Sequence, residues 1–91
     1  MKNSILSDIE YLKGIINSVK YNRHGKFDKA TIDVSLYYTL TIAKSIRASY
    51  SSMNATIALD YIRQVNDELR DYRMRAEITR RLDDIERLLE L

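Results

Sequence analysis

Residues 31–42 read TIDVSLYYTLTI, and this stretch decides the fold because it fits two secondary structures. Apolar and polar side chains alternate along it, which is typical of a strand. Extended to residue 50, it also forms one broad apolar helical face of Ile32, Leu36, Leu40, Ala43, Ile46 and Tyr50. A strand needs a partner, and only residues 18–23, across a turn at 22–26, are placed to pair with it. We therefore predict a helix over 29–50, and an α+β fold with a β-hairpin around residues 18–42 is the alternative.

The segment before it predicts an amphipathic helix over residues 5–22. Its apolar side chains recur at spacings of four and three residues, at Ile5, Ile9, Leu12, Ile16 and Val19. The chain contains no proline and only two glycines, Gly14 and Gly25. This shortage of chain breakers favours a few long elements. Gly25 suits the end of the first helix, because glycine readily adopts the left-handed conformation.

The C-terminal third carries two apolar stripes that do not share one face. The first contains Ala58, Ile62, Val65, Leu69, Tyr72 and Ala76, and the second contains Ile78, Leu82, Ile85 and Leu89. The second stripe is displaced by one residue, which rotates the buried face by about 100°. We predict a last helix over 53–90 that is bent or broken near residues 73–75. The predicted fold is all-α, a small bundle of three long helices in a single domain over residues 1–91.

Composition excludes several classes of protein. The chain is 45% hydrophobic and 31% charged, a balance typical of a folded domain. It has no cysteine, which excludes disulfides and thiolate metal sites. No run approaches the roughly 20 apolar residues of a membrane span, and the first residues lack the apolar region of a signal peptide. We expect a cytoplasmic protein without a membrane partner.

Catalytic groups are scarce in this sequence. The one histidine, His24, stands in a basic loop, and chance surface placement is the simplest interpretation. Two isolated glycines form neither a phosphate-binding loop nor a nucleophile elbow. We predict no catalytic, cofactor-binding or metal-binding residues, and we do not expect an enzyme.

Basic residues provide a candidate nucleic-acid contact, although the net charge is only +2. Four arginines at spacings of 7, 3 and 7 predict a stripe on the last helix: Arg63, Arg70, Arg73 and Arg80. A basic loop adds Lys20, Arg23, Lys26 and Lys29. Such groups are suited to phosphates. The competing interpretation is surface ion pairing, because Asp67 with Arg70, Asp71 with Arg75, Glu77 with Arg81 and Asp83 with Arg87 have helical pairing spacings.

Helix lengths predict self-association. A continuous helix over 53–90 would extend about 57 Å, against roughly 27 and 33 Å for the first two helices. An overhanging apolar seam would then need a cover, and it consists of Ile78, Leu82, Ile85, Leu88 and Leu89. A second copy is the simplest cover, so we predict a homodimer through these residues. A sharp turn that folds the last segment back as a fourth helix is the competing solution.

Two functions follow as hypotheses. The first is a small interaction or regulatory protein that acts through helical protein contacts and self-association. Seven tyrosines against one phenylalanine suit either a thin core or such an interface. The second is a nucleic-acid-binding module that uses the arginine stripe and the basic loop.

Overall fold

The protein is an all-α bundle of four helices in a computed structural model that describes residues 2–19 and 25–91. The helices are α1 (Lys2–Ser18), α2 (Lys29–Ser49), α3 (Met53–Glu68) and α4 (Arg75–Leu88), and a short 3₁₀ turn (Tyr72–Met74) precedes α4. Each helix packs against its neighbours in sequence, and α1 also packs against α4. The bundle measures 41 × 18 × 16 Å.

Helix α2 settles the ambiguity at residues 31–42. Asp28 caps it, since its carboxylate accepts a hydrogen bond from the Thr31 N–H at 2.7 Å. The hairpin alternative is wrong, because residues 31–42 lie inside this helix and the described residues form no strand. A strand here would have lacked a partner, whereas a helix pairs its own backbone.

The buried face of α2 agrees only in part with the predicted one, which shares Ala43 and Ile46 with it. It consists of Ser35, Thr39, Ile42, Ala43 and Ile46. Leu40, which we expected in the core, is 54% exposed. Since this helix is apolar around much of its circumference, periodicity alone did not fix its rotation.

The core is built from one face of each helix. The predicted stripe of α1 is confirmed, since Ile5, Ile9, Leu12 and Ile16 are fully buried. Helix α3 contributes Ala55, Ala58, Ile62 and Val65, and α4 contributes Ile78, Leu82 and Ile85. The first helix ends at Ser18, earlier than predicted, and its predicted extension over 20–22 lies outside the described residues.

The chain breaks between α3 and α4, where the two apolar stripes change phase. Asp71 caps the 3₁₀ turn by accepting a hydrogen bond from the Arg73 N–H at 2.9 Å. The Tyr72 N–H donates to the Gly25 carbonyl at 2.9 Å, which fixes the turn against the loop before α2. The predicted break near residues 73–75 is confirmed, and the predicted third helix over 53–90 is corrected to two helices, the second of which folds back onto the bundle as the competing solution described.

This break removes the exposed apolar seam that a second copy of the chain was expected to cover. Ile78, Leu82 and Ile85 are fully buried in the core of the single chain, and Leu89 is 4% exposed. Leu88 is partly buried against the same core. The prediction of an exposed seam at these residues is therefore corrected, because α3 and α4 bury their apolar faces within the bundle. Dimerisation itself stays a prediction and requires another surface.

Candidate interaction surface

Large exposed apolar side chains concentrate on α2. Among the described residues the most exposed are Met53 at 74%, Tyr37 at 64%, Tyr11 at 55%, Leu40 at 54% and Val34 at 42%. Three of these five stand on α2 at three-residue spacing, which places them on one side of that helix. These three residues of α2 and the charged residues beside them on the same helix form a surface that we name the α2 face: Asp33, Val34, Tyr37, Leu40, Lys44 and Arg47. The sequence interpretation missed it because Leu40 was assigned to the core.

A tyrosine cluster extends the α2 face toward α1. The rings of Tyr11 and Tyr38 lie 4.8 Å apart between centroids. Tyr37 meets Tyr38 edge-on at 5.5 Å. Loss of hydration raises the pKa of the Tyr38 phenol. Tyrosine supplies apolar contact area together with a hydroxyl, a combination enriched at protein interfaces.

On its other side the α2 face borders a groove between α2 and α3. The groove has a volume of about 520 Å³, and Ala43, Leu59 and Ile62 contribute apolar walls. Leu40 and Arg47 line it from the α2 side. The exposed apolar surface of α2 is thus continuous with a concave one.

The charges on the α2 face are separated along the helix. Asp33 lies near the N-terminal end and pairs with Lys29 at 2.9 Å. Lys44 and Arg47 lie toward the C-terminal end, and neither has an acidic partner among residues 2–19 and 25–91. Most other cationic side chains in this part of the chain are paired, namely Lys13, Lys29, Arg63, Arg73, Arg80, Arg81 and Arg87. The α2 face therefore has an acidic end, an apolar middle and an unneutralised basic end.

The predicted arginine stripe is not continuous. Arg63 stands on α3 and Arg80 on α4, whereas Arg70 and Arg73 stand in the connection between these helices. Arg63, Arg73 and Arg80 form ion pairs with Asp60, Asp71 and Glu77. The interpretation of surface pairing is supported, although with different partners.

The partners of two other arginines show this difference. Arg81 pairs with Glu68 across the α3–α4 contact at 2.8 Å. Arg87 pairs with Asp84, the acid three residues before it, and not with Asp83. Helical spacing thus predicted that these arginines form ion pairs, but the rotation of α4 determines which acidic residue each one contacts.

Two of the predicted basic segments meet at one end of the bundle. Lys26 and Asp71 form an isolated antiparallel bridge. Gly25 adopts a positive φ of 70°, and Phe27 packs edge-on against Tyr72 at 5.6 Å. This junction places the exposed Lys26 beside the turn that carries Arg70 and Arg73. Lys20 and Arg23, also predicted for this contact, and His24 lie outside the described residues, and Lys29 begins α2.

A charged cluster at the α1–α4 contact is occupied by its own ion pairs. The Lys13 ammonium lies 2.9 Å from Glu10, 2.8 Å from Asp83 and 2.8 Å from Glu86. Burial raises the pKa of Glu86, and its hydrogen bond to Glu10 raises it further while lowering the pKa of Glu10. These carboxylates neutralise an internal lysine, and no group of acids or histidine in the described residues is arranged to hold a metal ion.

Comparisons with protein-family models, curated proteins and solved structures found no match to this chain. Within the part of the chain that the structure describes, no helix combines the length and apolar character needed to cross a bilayer.

Proposed function

We propose that this chain is a non-enzymatic interaction module that binds a protein surface through the α2 face. The observation that carries this proposal is the concentration of exposed Val34, Tyr37 and Leu40 on one side of a single helix, next to Tyr11. Scattered exposed apolar residues are ordinary, but contiguous ones favour a binding surface. Tyrosine at the centre of the patch strengthens this, because aromatic side chains dominate the energetics of many interfaces.

The proposal predicts contact at one position of the chain and not at another. A photo-crosslinking amino acid is introduced at Tyr37 in cells of the native host, and the matched control carries it at Ala76, which is exposed on α4. Crosslinked protein products are expected from position 37 only. Leu40→Lys should abolish them because it places a charge in the apolar middle of the α2 face, whereas Asn17→Lys on α1 should not. Equal crosslinking at both positions, or none at position 37, would contradict the proposal.

A second candidate function is nucleic-acid binding at the end of the bundle where Lys26 meets the α3–α4 turn. The bridge between Lys26 and Asp71 supports it, because it joins two segments whose basic residues are separated in sequence. Arg70 is exposed there and has no acidic partner in the described part of the chain. Phosphate contacts from such groups would produce binding that weakens steeply with salt.

Titration of fluorescent DNA and RNA at two salt concentrations tests this candidate. The Lys26→Ala, Arg70→Ala double variant removes the unpaired cations of this end, and the matched control is Lys44→Ala with Arg47→Ala on α2. Salt-dependent binding that only the first variant loses would make nucleic-acid binding the principal function. Binding that both variants reduce equally would indicate attraction to overall charge and would contradict the candidate.

A further inference from the structure

We infer that the partner of the α2 face is a second copy of this chain, packed with α2 antiparallel to α2 about a two-fold axis at the level of Leu40. This inference rests on the proposed function and names the occupant of the same surface. The α2 face carries its own complement, because an acidic end and a basic end flank an apolar middle. A two-fold interface brings such opposite ends together twice.

The spacing of Asp33 and Arg47 fits this arrangement. They are 14 residues apart, which is about 21 Å along a helix, and their directions around the axis differ by only about 40°. A two-fold axis midway between them places Arg47 of one subunit against Asp33 of the partner subunit. The same contact forms at both ends, so one pair of residues produces two ion pairs.

The next pair inward is also complementary. Tyr37 and Lys44 lie on opposite sides of the axis, about 4.5 Å and about 6 Å from it along the helix. Each Lys44 ammonium therefore approaches the exposed ring of Tyr37 of the partner subunit, an arrangement that favours a cation–π contact. Leu40 lies beside the axis and meets its own counterpart. The apolar centre is thus closed by the most exposed aliphatic side chain of the helix.

Breaking existing ion pairs so that these charged side chains can form the interface costs little free energy. Asp33 now pairs with Lys29, but these side chains are 58% and 90% exposed, so the pair contributes little to stability. Lys44 and Arg47 have no acidic partner to lose among residues 2–19 and 25–91. A different protein would need a basic group opposite Asp33 and acidic groups opposite Lys44 and Arg47. A second copy of this chain already presents Arg47 to Asp33, Asp33 to Arg47 and the ring of Tyr37 to Lys44.

The interface uses one face of a helix about 31 Å long, which places it at the small end of protein interfaces. We therefore expect a dimer with a Kd on the order of micromolar or weaker that dissociates on dilution. Sedimentation equilibrium over a concentration series measures this directly.

Charge exchange between subunits is the decisive test. Asp33→Arg places two arginines together at each end, and Arg47→Asp places two aspartates together. Each variant alone should associate about tenfold more weakly than the wild type, because two exposed ion pairs become repulsive contacts. An equimolar mixture of the two should recover association, since every end then joins one arginine to one aspartate. Arg80→Asp on α4 is the matched control and should leave the dimer unchanged.

Three results would overturn the inference: a wild-type mass that stays monomeric at millimolar concentration, single variants that associate as the wild type does, or a mixture that does not recover. Circular dichroism verifies folding of each variant. Leu40→Lys provides a second test because it places two cations together near the axis. A monomer that still crosslinks from position 37 to a protein of different mass would refute the dimer and leave the proposed function standing. A monomer without any such crosslink would refute both.

Discussion

Replacing Lys13 with methionine should weaken the contact between α1 and α4. The side chain of Lys13 is 16% exposed, and its ammonium is held by Glu10, Asp83 and Glu86 at 2.8–2.9 Å. Methionine retains most of the aliphatic stem and removes only the charge. The Lys13→Met variant therefore isolates the electrostatic contribution of the cluster.

The expected loss of stability is about 2 kcal/mol. Hydrogen bonds to charged groups contribute about 1.5–3 kcal/mol to stability. The lower part of that range applies because the three acids are 21–55% exposed, and water screens them once the lysine is gone. For a domain of this size the loss corresponds to a decrease in Tm of roughly 8–16 °C.

The loss should be larger at neutral pH than in acid. The cluster raises the pKa of Lys13, so the stability it contributes is complete below the pKa of an unfolded lysine and is lost only at high pH. In the variant three carboxylates repel one another without a cation, which raises their pKa values in the folded state. A raised carboxyl pKa means that the folded state binds more protons, so the variant recovers relative stability as the pH falls toward about 4.

Urea unfolding followed by circular dichroism at about pH 7 and pH 4 measures both effects. Arg80→Met is the matched control, because it removes the cation of an exposed ion pair with Glu77 on α4 and should change stability little. A Lys13→Met variant as stable as this control, or one whose deficit grows in acid, would refute the reasoning.

Two further substitutions test the packing. Leu82→Ala should cost about 2–5 kcal/mol because the side chain is fully buried, and the cost should not depend on protein concentration if Leu82 belongs to the core of one chain. Urea unfolding at two protein concentrations measures this loss of stability. A loss that disappears at the higher concentration would indicate that Leu82 lies in an interface between two chains. Ser35→Ala should stabilise the protein by about 1 kcal/mol, because the buried hydroxyl has no hydrogen-bond partner among the described residues and alanine is the better helix former. A loss of stability in thermal unfolding would show that Ser35 makes a favourable contact.

The sequence predicted the helices of this fold better than their arrangement. The faces of α1 and α4 followed from clean periodicity, and the phase shift correctly located a discontinuity near residue 73. It left a bend and a full reversal as alternatives, because the turn depends on the hydrogen bond from Tyr72 to Gly25, 47 residues away along the chain. Local patterns carry no information about such a contact, and neither glycine nor proline marks the turn.

The candidate surface was hidden for a related reason. Helix α2 presents apolar side chains on opposing sides, so Leu40 suited the core as well as Ile42 did. The bundle places Ser35 and Thr39 inside instead, where their small volume suits close helix packing. Charges were easier to interpret, since pairing of the arginines could be predicted from spacing while the choice of acid depended on helix rotation.

The order of helix contacts affects how fast the chain folds. The contacts from α1 to α2, α2 to α3 and α3 to α4 join neighbours in sequence, and α1 with α4 forms the principal contact between distant segments. Proteins dominated by local contacts fold in microseconds to milliseconds. Closure between α1 and α4 carries the largest loop-entropy cost of these steps. The contact between α1 and α4 is therefore expected to form last during refolding and to open first during partial unfolding.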